Sequence, residues 1–299
     1  MKDRTTEGLW AWRQPENHNH MIGLQEQTGD APPSGDCIEL SYFGGSAFRI
    51  TAPSGLTLLL DPWRNPPWGT WDWYLYDFPA IAVDVVLSTH AHFDHDGVHQ
   101  VSAHTILDRL IGTYAFADVR ITGIADKHVS DSTHNAYDWA EMTRRLTNVR
   151  TTPPDNWRSF DNCLLVVEVA GLRILHWGDN RPNPPDAVWE QLGKVDIVLL
   201  PVDGSQHVLS YVQADAIAAR LEARLIVPHH YGIWDVTTRA STLLPPDEWV
   251  KGRADSMWAE SGSYQLDNAF VKQQRNRVLC FGGHVAFDKT DVRSKSKGT

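Results

Sequence analysis

The segment Thr89–Gly97, which reads THAHFDHDG, contains four side chains that can bind a metal ion within a span of six residues. They are His90, His92, Asp94 and His95. Neutral imidazole binds zinc, iron, nickel and copper, and a carboxylate oxygen also suits harder ions such as manganese. This mixed set of ligands predicts a site for a divalent cation.

The metal motif needs a rigid support, and an apolar run comes directly before it. Residues Val83–Ser88 predict a buried strand that ends where the histidines begin. Ligands that follow a buried strand lie at the carboxyl end of a sheet, where α/β proteins tend to place their sites. We therefore expect the histidines to project from a sheet edge.

The motif resembles the signature of the metallo-β-lactamase superfamily of metal-dependent hydrolases, and other segments resemble that family in the same order. Residues 37–50 and 56–63 resemble its paired opening strands, which end in the family's aspartate, here Asp61. The segments IADKHVSD, LRILHWGDN and RLIVPHHYG resemble those that carry its third histidine, bridging aspartate and last histidine. The resemblance spans about residues 37–231 with a closing strand near 277–282, and it is greatest to the branch that includes ascorbate-phosphate lactonase.

The resemblance implies a dinuclear metal centre built from seven ligands. The first metal would be held by His90, His92 and His128, the second by Asp94, His95 and His230, and Asp179 would bridge the two. One extra residue before His128 leaves His134 as an alternative third ligand. At the last position His230 is favoured over His229. The expected cofactors are two divalent ions, with zinc preferred and manganese or iron as alternatives.

Three more residues are expected to support the ligands. Asp61 would orient histidine ligands rather than bind metal, and His229 would be a neighbour of the last ligand. His176 lies on a predicted strand two residues before the Gly178-Asp179 turn. It is expected to be a supporting or core imidazole, with direct ligation as the alternative.

The catalytic expectations are fewer. Asp94 would orient the attacking water and pass a proton to the leaving group. Tyr231, next to the last ligand, and His207, in the loop after LPVDG, are candidate contacts to an oxyanion or a substrate. It is equally open that Tyr231 and His207 are loop residues that do not contact the substrate.

The segment 62–80, PWRNPPWGTWDWYLYDFPA, combines many aromatic residues with proline. Proline disfavours a regular central strand, so we expect a rigid aromatic loop that starts beside the metal site. Two roles are open for this loop. Its aromatic side chains pack against their own domain or a second subunit, or they line the substrate pocket. The candidate substrate-binding residues are Trp63, Trp68, Trp71, Trp73 and, after the last histidine, Trp234.

Composition limits the partners and the compartment. A net charge of −10 argues against nucleic acid, because phosphate backbones bind clustered lysine and arginine. The first 20 residues have no apolar signal core, and no stretch is long enough to cross a membrane. Three cysteines do not form a disulfide framework. We expect a cytoplasmic protein with a small-molecule substrate, and the aromatic loop leaves room for a homo-oligomer.

The periodicity predicts strands that alternate with helices, hence an α/β (α+β) fold, and the resemblance implies a four-layer αββα sandwich. Strands are expected at Ile38–Thr51, Leu56–Leu60, Val83–Ser88, Val119–Ile124, Cys163–Val169, Leu172–Trp177, Asp196–Val202, Arg224–Val227 and Arg277–Phe281. Helices are expected at Thr105–Phe116, Asn135–Leu146, Asp186–Leu192 and Tyr211–Ala223. Residues 37–288 should form one domain with a lid-like insertion at 232–265, preceded by an arm (1–36) and followed by a polar tail (289–299).

Together these features predict a hydrolase that uses water activated between two metal ions. A cyclic ester or lactone-like ring is the leading substrate class. A phosphodiester or a sulfate or sulfamate ester is the alternative on the same centre. A binding protein without activity is the remote alternative, because all seven ligands are present.

Overall fold

The computed structural model describes residues 35–65, 74–129, 160–234 and 243–289. Its strands are β1 (Cys37–Tyr42), β2 (Phe48–Thr51), β3 (Thr57–Leu60), β4 (Ala82–Ser88), β5 (Ser102–Asp108), β6 (Gly112–Phe116), β7 (Val119–Asp126), β8 (Asn162–Val169), β9 (Leu172–His176), β10 (Ile197–Pro201), β11 (Leu225–His229), β12 (Ser256–Trp258), β13 (Ser263–Asp267) and β14 (Arg277–Cys280). Its helices are α1 (Asp186–Leu192), α2 (Tyr211–Leu221), α3 (Asp247–Lys251) and α4 (Asn268–Gln273).

The strands form two mixed sheets. The smaller has the order β13-β1-β2-β3-β4-β5, and the larger has the order β12-β14-β11-β10-β9-β8-β7-β6. Strands β3 and β4 run parallel, as do β9, β10 and β11. The carboxyl ends of parallel neighbours lie at one edge of a sheet, so residues that follow these strands are brought together.

The main core lies between the sheets and includes residues of both, for example Leu58 and Leu60 of β3 and Leu165 of β8. Leu59, between them in sequence, belongs to a second cluster on the other side of the small sheet. This change of side at every residue is the two-residue period of a strand. Because both sides are apolar, β3 reads as a continuous apolar run rather than as an alternation.

Aromatic side chains cover that other side of the small sheet. Trp63 is fully buried, donates a hydrogen bond from Nε1 to the carbonyl of Phe43 at 3.2 Å, and packs edge-on against Phe78 at 5.1 Å. Tyr74 packs 5.8 Å from Trp63. The indole of Trp63, a predicted substrate contact, is thus part of the core, because the large apolar ring gains most by burial. Trp68, Trp71 and Trp73 lie outside the described residues.

The two-sheet mixed α/β fold is confirmed, and so are the helices at 186–192 and 211–221. Helix α2 begins with a capping box, in which Ser210 accepts from Gln213 N and the Gln213 side chain accepts from Ser210 N. It ends at Glu222, whose φ of 52° is left-handed. Strands β8 and β9 are joined by a turn at Ala170 and Gly171, which have positive φ of 52° and 68°. Among the described residues, no helix is long and apolar enough to cross a bilayer.

The helix predicted at Thr105–Phe116 is wrong. The segment instead lies in β5 and β6, with positive φ at Arg109, between the two strands, and at Gly112, the first residue of β6. Residues of β5 alternate between exposed and half-buried, and its β-branched Thr105 and Ile106 favour the extended chain. The predicted helix Asn135–Leu146 lies outside the described residues.

Two boundaries also differ from expectation. The single strand predicted at Ile38–Thr51 is divided into β1 and β2 by a turn at Gly44 and Gly45. The segment 232–265 is not wholly a lid, because β12 pairs with β14 in the large sheet and β13 pairs with β1 in the small one. These short strands complete sheet edges, where backbone groups need partners.

Candidate metal centre

The seven predicted ligands follow the ends of four strands. The motif with His90, His92, Asp94 and His95 follows β4, His128 follows β7, Asp179 follows β9, and His230 follows β11. Strand β4 belongs to the small sheet, and β7, β9 and β11 belong to the large sheet, so the site lies where the ends of the two sheets meet. Ligands that are up to 140 residues apart in the chain are thereby placed side by side.

The side chains form three overlapping groups whose ligand atoms lie within 4.8 Å of one another. These groups are His90, His92 and His128; Asp94, His95 and His230; and His90, His95 and Asp179. We call the first group the first metal position and the second group the second metal position. Asp179 lies between them. His128 thus lies in one group with His90 and His92, whereas the alternative His134 lies outside the described residues.

Distances to Asp179 support a shared ligand. Its Oδ2 lies 3.4 Å from His230 Nε2, 3.6 Å from His128 Nε2 and 4.0 Å from His90 Nε2. Its Oδ1 lies 3.4 Å from His95 Nε2. Four atoms bound at about 2.1 Å around a tetrahedral zinc ion are about 3.4 Å apart, so this spacing suits atoms that share a cation.

Unpaired buried atoms give a further test of fit. Among the described residues, His90 Nε2, His95 Nε2, His230 Nε2 and Asp179 Oδ1 are buried without a hydrogen-bond partner. A buried polar atom without a partner costs about 1–3 kcal/mol. Four such atoms converge on one place, and imidazole nitrogen and carboxylate oxygen are ligands for zinc, manganese and iron. The residues present therefore fit the divalent cations that the sequence implies.

The acid–base properties of the cluster agree with this. Burial lowers the pKa of His90 well below its usual value and that of His92 to about 4, so both imidazoles are neutral and able to bind metal. For His230, burial acts in the same direction but is outweighed by Asp179 and Asp94, which raise its pKa to about 10. The pKa of His95 is also raised well above its usual value, by Asp179 and Asp94 against the effect of burial. Metal binding must therefore displace protons from these two rings.

Asp61 occupies the orienting place predicted for it. The carboxylate is fully buried, and its Oδ2 accepts hydrogen bonds from His95 Nδ1 at 2.8 Å and His176 Nε2 at 2.8 Å. Burial alone would raise its pKa, but His176 and His95 outweigh this effect and lower it. The bond to Nδ1 leaves His95 Nε2 directed at the second metal position, a common arrangement around metal-bound histidine.

The backbone of His230 is held by the turn between β1 and β2. His230 N donates to Gly45 O at 2.7 Å, and Gly45 N donates to Tyr231 O at 2.8 Å. His230 itself has a left-handed φ of 73°, which is uncommon outside glycine and clusters at functional sites. The opening Gly-Gly segment therefore has a function in the site, because it clamps the last ligand.

His128 is held against the loop that carries Asp179. Val129 N donates to Asp179 O at 2.8 Å, and His128 N donates to Asp161 Oδ1 at 2.7 Å. The Asn180 side chain donates to Asp126 Oδ2 at 2.8 Å and accepts from Asn162 at 2.9 Å. These contacts fix the separation between the third histidine and the central carboxylate.

The remaining predicted residues have different placements. His229 is fully buried and bonded to Ser46 Oγ at 3.0 Å rather than being a member of a ligand group. Tyr231 is also buried, with its hydroxyl 3.6 Å from Cys280 Sγ, which does not support the expected substrate contact. His207 stacks on His230 with ring centres 5.6 Å apart, and Trp234 stacks on Phe93 at 6.3 Å.

Sequence reasoning missed three supporting residues. Thr89 immediately precedes the motif, and its hydroxyl bonds to Asp61 and His90. Ser46 bonds to His229. Asp203 is fully buried after β10, where its carboxylate accepts from His207 N at 3.0 Å, and burial raises its pKa to about 6. The only signal for Asp203 was its place at the end of a predicted strand.

Comparisons with known proteins agree with this geometry. The sequence profile of the group described as "Beta-lactamase superfamily domain" matches residues 39–230. A metal-dependent hydrolase of Methanosphaera stadtmanae is 26% identical over 208 residues, covering 65% of this chain and 84% of that protein. A metal-dependent hydrolase of Anaeromyxobacter dehalogenans is 26% identical over 260 residues, covering 75% and 85%.

Two solved structures share the fold. A protein from Thermotoga maritima assigned to the Zn-dependent hydrolases of the metallo-beta-lactamase superfamily has a TM-score of 0.56 at 21% identity, covering 81% of this chain and 98% of that chain. An isothiocyanate hydrolase from Delia radicum gut bacteria has a TM-score of 0.51 at 16% identity, covering 82% and 97%. At this identity the likeness concerns the fold alone.

Proposed function

The chain belongs to the beta-lactamase superfamily, and from that premise we propose that it is a metal-dependent hydrolase of a small organic substrate. The observation that carries the proposal is the convergence of seven ligand side chains into three overlapping groups, with Asp179 next to histidines of both metal positions. The names of the relatives, which are metal-dependent hydrolases, agree with it.

We propose two divalent ions, one at each metal position, with zinc preferred over manganese or iron. When bound, they would lower the pKa of water and polarise the bond to be cleaved. The residues would hold them as predicted: His90, His92 and His128 at the first position, Asp94, His95 and His230 at the second, and Asp179 at both.

Asp94 is the proposed proton carrier. Its Oδ2 lies 3.5 Å from His230 Nε2 and 3.9 Å from His95 Nε2, at the second metal position. Burial alone would raise its pKa, but His95 and His230 lower it to about 2, so the carboxylate is ionised and able to accept a proton from water. One oxygen can serve as a ligand while the other orients water and later passes the proton to the leaving group.

His207 is the proposed contact to the substrate. Its backbone is held by Asp203, its ring lies over His230, and it belongs to none of the ligand groups. Burial and the neighbouring His230 lower its pKa to about 3, so the ring is a neutral hydrogen-bonding group. Such a group beside the metal positions can stabilise developing charge on the substrate.

We propose that the rim of the site is aromatic. Phe93 lies between two motif ligands in sequence, is half-buried and stacks on the half-buried Trp234. Tyr74 packs edge-on against both rings. An apolar rim of this kind favours a compact organic substrate over a highly charged one.

We propose a cyclic ester of the lactone type as the substrate. The resemblance to the lactonase branch and the apolar rim support this choice. Phosphodiesters and sulfate or sulfamate esters are the alternatives, because the same ligands can serve all three reactions. The three unpaired cysteines, Cys37, Cys163 and Cys280, are compatible with the proposed cytoplasmic location.

The test is metal analysis of the purified protein followed by assays on a substrate panel. Metal-free protein is reloaded separately with zinc, manganese or iron and assayed on lactones, phosphodiesters and sulfate or sulfamate esters. We expect about two ions per chain and metal-dependent lactone hydrolysis. Hydrolysis of another class alone would replace the substrate proposal, and activity that is unaffected by metal removal would refute the proposed function.

A further inference from the structure

We propose that His176 is a positioning residue that sets the affinity of both metal positions through Asp61. The inference rests on the proposed metal centre and concerns how that centre is held. His176 lies at the end of β9, with its ring fully buried. It is a member of none of the ligand groups found among the described residues.

Asp61 connects His176 to the second metal position directly. Its Oδ2 accepts from His176 Nε2 and from His95 Nδ1, each at 2.8 Å. The same carboxylate oxygen therefore holds one ligand ring and one ring that binds no metal. A shift of this oxygen would turn His95 and displace its Nε2 from the second position.

Asp61 also connects to the first metal position, through Thr89. The Thr89 hydroxyl lies 2.7 Å from Asp61 Oδ2 and 3.0 Å from His90 Nδ1. A hydroxyl has one proton, and an ionised carboxylate can only accept, so Thr89 donates to Asp61 and accepts from His90 Nδ1. His90, like His95, is thereby left with Nε2 free for metal.

The surroundings of His176 decide which ring nitrogen donates a hydrogen bond. Its Nδ1 is buried and, among the described residues, has no hydrogen-bond partner. A proton placed on Nδ1 would be buried without an acceptor, whereas a proton on Nε2 is accepted by Asp61. Nε2 of His176 therefore donates to Asp61, and this nitrogen cannot bind metal without breaking that bond.

The position of His176 is set by the sheet rather than by the metal site. Its backbone pairs with Leu165 of β8 and Leu199 of β10, and the ring of Phe48 packs edge-on against it at 6.3 Å. Asp61, in contrast, lies beyond the end of β3 with a left-handed φ of 45°. The bond from His176 thus anchors a carboxylate at a strand end to the interior of the large sheet.

The test compares His176→Phe with His176→Gln. Phenylalanine keeps a planar ring but cannot donate to Asp61, whereas the glutamine amide can replace the Nε2–H donor. Metal-free protein is titrated with Co²⁺, and the visible spectrum reports the coordination of each ion. We expect H176F to lower the affinity of both positions about 10–100-fold and to change the spectrum. H176Q should restore most of the affinity and the spectrum of the unaltered protein.

Two further variants separate positioning from packing. Phe48→Leu disturbs the packing of His176 but leaves its bond to Asp61, and it should bind Co²⁺ as the unaltered protein does. Thr89→Val removes the hydroxyl that joins Asp61 to His90 but leaves the bonds of Asp61 to His176 and His95, so its affinity loss should be largest at the first position. If H176F does not fold, His176→Asn, whose amide is too short to reach Asp61, takes its place.

The outcomes are distinct from those of the functional test. The proposal would be overturned by unchanged Co²⁺ affinity in H176F, or by a loss of affinity in H176Q or F48L as large as that in H176F. Each of these outcomes would leave the hydrolase assignment intact. Failure of the unaltered protein to bind Co²⁺ at this cluster would instead refute the proposed function.

Discussion

Gly178, the residue before the central carboxylate Asp179, should not tolerate a side chain. It has a positive φ of 54°, and a Cβ built there would lie 2.7 Å from Thr89 Oγ1 and 3.0 Å from Thr89 Cγ2. Real Cβ atoms do not approach other atoms this closely. Gly178→Ala should therefore displace Thr89, whose hydroxyl links Asp61 to His90.

The magnitude follows from two contributions. An alanine with left-handed φ costs about 1–2 kcal/mol. Loss of the Thr89 bond to the ionised Asp61 costs about 1.5–3 kcal/mol more. The free energy of unfolding of the metal-free G178A protein should thus fall by about 2.5–5 kcal/mol. Affinity at the first metal position should fall about 10–100-fold, because His90 loses its support.

A matched control isolates the contact from the backbone effect. Gly55, in the turn between β2 and β3, also has a positive φ, 89°, but a Cβ there would meet nothing within 4 Å. Gly55→Ala should lower the free energy of unfolding by about 1–2 kcal/mol and leave metal affinity unchanged. Urea unfolding of both metal-free variants and metal titration supply the comparison. Equal unfolding free energies and equal metal affinities in the two variants would refute the reasoning.

Three other predictions test the centre. Asp179→Ala should reduce bound metal to one ion or none and hydrolysis to background by metal analysis and assay, because the two positions lose their shared anion; two tightly held ions with normal turnover would contradict this. Metal affinity should rise with pH up to about 10, because the pKa values of His95 and His230 are raised, that of His230 to about 10, and metal must displace their protons. Calorimetry in buffers of different ionisation enthalpy should detect the released protons. A metal affinity that does not change with pH would contradict this prediction. His207→Ala should lower kcat about 100-fold, and Trp234→Ala should mainly raise KM, about tenfold, both with metal content intact. Steady-state kinetics measure kcat and KM, and metal analysis measures the metal content. Loss of bound metal in either variant would contradict the proposed role of that residue in substrate contact.

Much of the site could be predicted because its ligands occur in short motifs. His90, His92, Asp94 and His95 lie within six residues, so their chemistry is visible without any tertiary contact. The choice between His128 and His134 as the third histidine could not be made from a short motif. It depended on where the chain turns after β7, and His128 is placed by its backbone contacts with Asp161 and the Asp179 loop.

Differences between expectation and structure have physical causes as well. Residues 105–116 contain apolar positions compatible with a helix, but pairing with β4 and β7 provides backbone partners that outweigh this local pattern. Trp63 was expected at the substrate because it follows Asp61 closely in sequence. Its ring is instead buried against Phe43 and Phe78, since the outer side of the small sheet needs an apolar cover.

The amino-acid sequence by itself determined the kind of chemistry: a divalent-metal site at strand ends, in a mixed α/β fold. Ligand type and local spacing are properties of the residues, and metals select ligands by atom type. Only the tertiary structure decided how those ligands are held. Asp61 bonds to His95, 34 residues away, and to His176, 115 residues away. Both bonds depend on how the two sheets pack, because a hydrogen bond is lost when its atoms move apart by a few tenths of an ångström.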